Sequence, residues 1–146
     1  MKLLILFWTI VSFCEGYRIL GLFPYHGRSH FVMFEQLMKS LARKGHQVEV
    51  ISTFPLKTPY PNYTDVVAFE VTQHIVNNVT FEQLESFTGL NAGYTTAWEV
   101  GNPICDRLNT EGVQRLLKNA PHANPPYDLA IVEVGLLLSC DYCGLW

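Results

Sequence analysis

The residue of this chain best placed to move a proton is His30. An imidazole is the side chain that takes up and returns a proton near neutral pH. His30 follows a Pro/Gly turn, residues 24–27, and opens a long amphipathic stretch. Ser29, just before it, is of the type that caps a helix N-terminus, so the spacing puts His30 in the first helical turn. The positive end of the helix dipole disfavours an imidazolium there and leaves the ring free to act as a base. The plainer alternative is a polar residue at a solvated helix start. Other pairings are weaker. His26 and His30 stand four apart, but Gly27 intervenes and the glutamate of a metalloprotease helix is missing, so no zinc centre is expected. Cys140 and Cys143 have redox spacing without a preceding strand–turn–helix to present them. No GxGxxG or GxxxxGK[ST] loop exists to cradle a phosphate, and no resident cofactor is expected.

The elements that would position His30 are legible around it. Residues 19–23 and 48–51 are short apolar runs, the second crossed only by Glu49, and read as strands buried on both faces. Between them, Phe31, Phe34, Leu37, Met38 and Leu41 recur at helical spacing. Gly45 supplies a left-handed stop, with Arg43 and Lys44 at the negative end of the dipole. This is a βαβ unit, with His30 where the first strand hands over to the helix. Open α/β sheets place their chemistry outside the carboxyl ends of such strands. A further buried strand is expected over residues 127–133, entered from Pro125-Pro126 and ending at Glu133. Asp128, at its start, reads as a turn or capping residue. Residues 66–72 suggest a third strand and 81–87 a short helix. Residues 95–119 suggest one or two helices interrupted at Gly101-Asn102-Pro103.

The order of these residues, with GRSHF at the turn and LARKGHQVEVIS after the helix, resembles the N-terminal domain of the UDP-glycosyltransferases. It is most similar to the UDP-glucuronosyltransferase-like animal branch and its arthropod members. The resemblance implies an α/β fold: a partial Rossmann-like parallel sheet forming the N-terminal, acceptor-binding domain of a GT-B architecture. It implies that His30 is the base that deprotonates an acceptor hydroxyl. It also implies that Glu133, at the last position of a [FY]D-x4-[DE] pattern, steadies the protonated His30. The family more often has Asp there. A strand-end carboxylate facing water is the alternative for Glu133. The middle of the chain matches less strongly, and its helices would line an acceptor cleft.

Composition bounds the rest. The 146 residues suffice for one domain with a core. A net charge of −3, with no cluster of Lys and Arg, gives no footprint for nucleic acid. Residues 1–16 have the basic start, apolar centre and small-residue end of a secretory signal peptide cleaved before Tyr17. Entry into the endoplasmic reticulum lumen would give meaning to two N-glycosylation sequons, at Asn62 and Asn78. Cys105, Cys140 and Cys143 could then pair, in a connectivity that spacing does not fix. Residues 17–146 read as a truncated acceptor-binding domain, in which the family's C-terminal UDP-sugar-binding domain and membrane anchor are absent.

Two functional classes are implied by the resemblance. One is the N-terminal portion of an inverting hexosyltransferase, moving glucose or glucuronate from a UDP-sugar co-substrate to a small lipophilic acceptor and inactive by itself. The other is a non-catalytic short lumenal isoform that binds lipophilic ligands or dimerises with full-length relatives.

Overall fold

A computed structural model describes residues 16–70, 80–86, 101–123 and 125–133. The expected signal segment before Gly16, the Asn78 sequon, and Cys140 and Cys143 lie outside the described residues.

Four strands form one parallel sheet: β1 (Arg18–Phe23), β2 (Gln47–Ser52), β3 (Tyr63–Ala68) and β4 (Leu129–Val132), in the spatial order β3-β2-β1-β4. The α/β, Rossmann-like expectation is met. Helix α1 (Arg28–Arg43) is the crossover between β1 and β2 and covers one face. There Phe31, Met38 and Ala42 are buried against Ile19, Phe23, Val48, Val50 and Tyr63. The opposite face, with Leu20, Leu22, Ile51 and Phe69, is closed by Leu108 and Val113. These come from α3 (Asn102–Leu108) and α4 (Glu111–Asn119), while α2 is the short helix Phe81–Ser86. Burial of β1 on both faces explains why 19–23 reads as an unbroken apolar run; in β2 the half-buried Glu49 interrupts the buried Val48, Val50 and Ile51.

Helix α1 ends as Gly45 requires. Gly45 adopts φ +91°, its amide donates to the Ala42 carbonyl, and the His46 amide donates back to Leu41. This 6→1 and 5→2 pair is a Schellman motif, which the left-handed glycine makes sterically cheap. At the other end, the helix begins at Arg28 with Gly27 as N-cap, and no side chain caps it. The expected cap, Ser29, is therefore already inside the first turn and exposed. His30 remains in that turn, its amide donating to the Gly27 carbonyl at 3.1 Å.

Other details differ from expectation. Leu37, expected on the buried stripe, is 44% exposed, because it lies about 100° around the helix from the fully buried Met38. Ala42 takes the buried position instead. Strand β3 begins at Tyr63, inside the Asn62 sequon, and no longer continues at Phe69. Pairing of Val48 with Tyr63 overrides the polar local sequence. Asn102 opens α3, with Pro at a first-turn position where its missing N–H costs nothing, while the part of the expected helical stretch before Gly101 lies outside the described residues. Within the described part, the break falls at Asn109-Thr110.

The register of β4 decides where the last strand delivers its final residue. Ile19 pairs with Leu129 and Leu22 with Val132. The pairing is pinned at both ends. Arg18 and Asp128 exchange bonds at the start, with the Arg18 amide donating to Asp128 Oδ2 at 2.7 Å and the Asp128 amide to the Arg18 carbonyl at 2.9 Å. Beyond Val132, the Glu133 amide donates to the Leu22 carbonyl at 3.1 Å.

Candidate active site

The parallel pairing of β1 with β4 carries Glu133 to the carboxyl end of the sheet, beside the turn that leads into α1. His30 Nδ1 stands 3.4 Å from Glu133 Oε1, across 103 positions of sequence. The two expected site residues are thus neighbours in space. Their exposures differ: the His30 side chain is 57% accessible and that of Glu133 only 11%. An imidazole open to solvent and backed by a sheltered carboxylate can exchange a proton with an incoming molecule while the carboxylate holds the other ring nitrogen. Burial raises the Glu133 carboxyl above the ordinary glutamate value. The bond and charge of His30, and a bond from the Tyr25 backbone, pull it back down. Taking a carboxylate out of water costs free energy unless donors compensate, and these two are the compensation.

The turn 24–27 brings both members together. The Tyr25 ring meets the His30 ring edge-on at 4.9 Å, while its backbone reaches Glu133. Gly27 makes room for that ring: a Cβ at position 27 would lie 2.3 Å from Tyr25 Cε1. Thr53 Oγ1, at the end of β2, donates to the Tyr25 carbonyl at 3.2 Å. On the other side, Arg107 of α3 donates from one guanidinium nitrogen to the Pro24 carbonyl at 3.2 Å. The same nitrogen reaches His26 Nδ1 at 2.9 Å. His26 is therefore a buried partner of Arg107 and not a second ligand beside His30. Among the described residues, no group of three or more His, Cys, Asp or Glu could hold a metal.

Tyr25, Thr53 and Arg107 are not apparent as site residues in the sequence. Two of them act on backbone carbonyls, an acceptor that every residue carries and no motif announces. The remaining expected positions are distributed elsewhere. Asn62 sits exposed at the turn before β3 with φ +60°, and its Nδ2 donates to the Ala42 carbonyl at 3.3 Å. Asp128 is at the amino end of the sheet, away from His30, in the capping role anticipated for it. Cys105, buried in α3, is disulfide-bonded.

No protein-family profile matches the chain, and no solved structure matches it. Two curated proteins of Dactylopius coccus are similar to it. UDP-glucosyltransferase 2 is 38% identical over 86 residues, 59% of this chain and 17% of that protein. UDP-glycosyltransferase UGT5 is 28% identical over 136 residues, 89% of this chain and 25% of that protein. The chain is thus similar in sequence to two arthropod UDP-glycosyltransferases and spans only 17% and 25% of their lengths.

Proposed function

We propose that this chain supplies the acceptor half of an inverting glycosyl transfer from a UDP-sugar, glucose or glucuronate, to a hydroxyl of a small lipophilic molecule. The observation that carries the reading is the His30–Glu133 pair at the carboxyl ends of adjacent strands. With Nδ1 turned to Glu133, Nε2 of His30 is the ring nitrogen left to face an acceptor. It removes the hydroxyl proton as the oxygen attacks the sugar carbon, and UDP leaves from the opposite side, inverting that carbon. The imidazolium formed is stabilised by Glu133, whose shelter from water strengthens the attraction. UDP-sugar acts as co-substrate and is held by a donor-binding domain beyond the matched segment. A disulfide at Cys105 supports an oxidising compartment, in keeping with the expected signal peptide and an endoplasmic reticulum lumenal site of action. An exposed Asn62 supports glycosylation there, since a glycosylated amide keeps one N–H for the Ala42 carbonyl.

The test joins this chain to the donor domain of a relative and supplies a UDP-sugar with a lipophilic phenol. Transfer is expected, and His30→Ala should slow it about 10²–10⁴-fold with UDP-sugar binding retained. Glu133→Asp should keep most activity, because the shorter acid is the family's common residue. A protein that binds the phenol and transfers no sugar would instead be a non-catalytic module, one that sequesters ligands or dimerises with full-length relatives.

A further inference from the structure

The turn that carries the pair is held from a distance. Helix α3 is fixed to the sheet face through Leu108, and its Ile104 and disulfide-bonded Cys105 are buried. From this fixed helix Arg107 reaches across to a turn more than 80 residues earlier in sequence. Its guanidinium is half-buried, and loss of water there lowers its basicity. A charged fork is placed in such surroundings at a cost, which strong acceptors must offset. The acceptors are the Pro24 carbonyl and His26 Nδ1, one on each side of Tyr25.

We infer that Arg107 is a positioning residue for the His30–Glu133 pair: it clamps residues 24 and 26 so that Tyr25 presents its ring to His30 and its backbone to Glu133. The inference rests on the glycosyl-transfer reading only for its catalytic consequence; the clamp itself is a property of the folded chain. Because Arg107 accounts for one side of the turn and Thr53 for the other, its removal should loosen the turn without unfolding the sheet. Among the described residues, the groups acting on the Glu133 carboxylate are His30 from α1 and the Tyr25 backbone. Loss of the Tyr25 bond therefore has a direct reporter.

Amide hydrogen exchange and carboxyl NMR on the chain itself come first. In Arg107→Met, the Tyr25 amide should exchange at least tenfold faster while the amides of Leu20 and Leu22 keep their protection. The Glu133 carboxyl should titrate at higher pH, since a donor that lowered it has gone. Arg107→Lys, which keeps the charge on a shorter side chain, should fall between Met and wild type. His26→Ala, which removes one acceptor and leaves the guanidinium intact, should loosen Tyr25 in the same direction. In the donor-completed protein, Arg107→Met should lower kcat about 10–100-fold with KM for UDP-sugar unchanged, as misplacement of a reacting group does. Unchanged exchange at Tyr25, or equal loss of protection at Tyr25, Leu20 and Leu22, overturns the clamp. If His30→Ala transfers sugar normally, the transfer reading fails, while the Tyr25 and Glu133 signals still decide whether Arg107 positions the turn.

Discussion

The two ends of the sheet are built on opposite principles. At the amino end, Arg18 grips Glu49 with two guanidinium nitrogens, at 3.0 and 2.8 Å. Tyr127 donates its hydroxyl to the other oxygen of the same carboxylate. The guanidinium lies 4.1 Å above the Tyr127 ring and also donates to the Pro125 carbonyl. Each charge is answered, and three parts of the chain are tied together in fixed register. At the carboxyl end, a single 3.4 Å contact joins an exposed imidazole to a sheltered carboxylate that burial makes harder to ionise. One end stabilises and the other holds groups in reserve. The difference teaches that the side chains fixing β4 cluster at the amino end, so that Glu133 can arrive beside His30 without a strong side-chain bond between them. A tight pair would resist the proton movement that a base must make.

Substitutions should separate the ends, and the largest stability effect belongs to the amino end. Arg18→Met leaves Glu49 and the Tyr127 hydroxyl without their cation, and should cost about 2–3 kcal/mol by denaturant titration. Fluorescence or circular dichroism midpoints would check it, and an unchanged midpoint would mean that the network contributes nothing.

Tyr127→Phe should cost less, about 1–2 kcal/mol, because the hydroxyl's bond to Glu49 and the longer one it accepts from Arg18 at 3.3 Å are lost while the ring stays under Arg18. This phenol is also a pH reporter. Burial foremost, then the bond to Glu49 and its charge, push its pKa up to about 12. A phenol whose folded pKa lies above its unfolded value of 10.0 stabilises the fold below pH 10, and that stability is lost as pH rises toward 12. Tyr63 is raised too, again mainly by burial, so part of the alkaline loss should survive in Tyr127→Phe. A wild-type alkaline slope that the variant leaves untouched would show that Tyr127 contributes nothing to it.

The smallest stability effect is expected at Glu133, where it sharpens the contrast. Its carboxyl is raised above the ordinary value of 4.5, so the folded state holds its proton more tightly than the unfolded chain. Stability then falls as pH climbs through the interval just above 4.5, and ionised Glu133 is a burden at neutral pH. Glu133→Gln should therefore be within about 0.5 kcal/mol of wild type, or slightly more stable, with a flatter profile across that interval. The equivalent change at Glu49, Glu49→Gln, should destabilise. Equal losses at both positions would erase the distinction between the two ends.

How much of this is legible in the sequence depends on which interactions are local. The βαβ unit can be read because helical spacing from Phe31 to Leu41 and the left-handed stop at Gly45 are short-range signals. His30 is marked by its place at the strand-to-helix handover. Glu133 has no local mark beyond ending a strand, and only the family resemblance links it to a histidine 103 positions away. Leu37 misleads because it is apolar at a position the helix turns toward solvent. The start of β3 is hidden because its polar residues are strand only through pairing with β2. Arg107, Thr53 and the inward ring of Tyr25 act across the fold, where no spacing rule reaches.

If His30 and Glu133 work as one unit, a double-substitution cycle in the donor-completed protein shows it most directly. Transfer rates would be measured for wild type, His30→Ala, Glu133→Gln and the double variant. A large loss is predicted for His30→Ala and a smaller definite one for Glu133→Gln. The double variant should be no slower than His30→Ala alone, because a carboxylate that serves the imidazolium has nothing to do once the imidazole is gone. Losses that multiply independently, or near-wild-type transfer by a folded His30→Ala protein, would contradict the pairing.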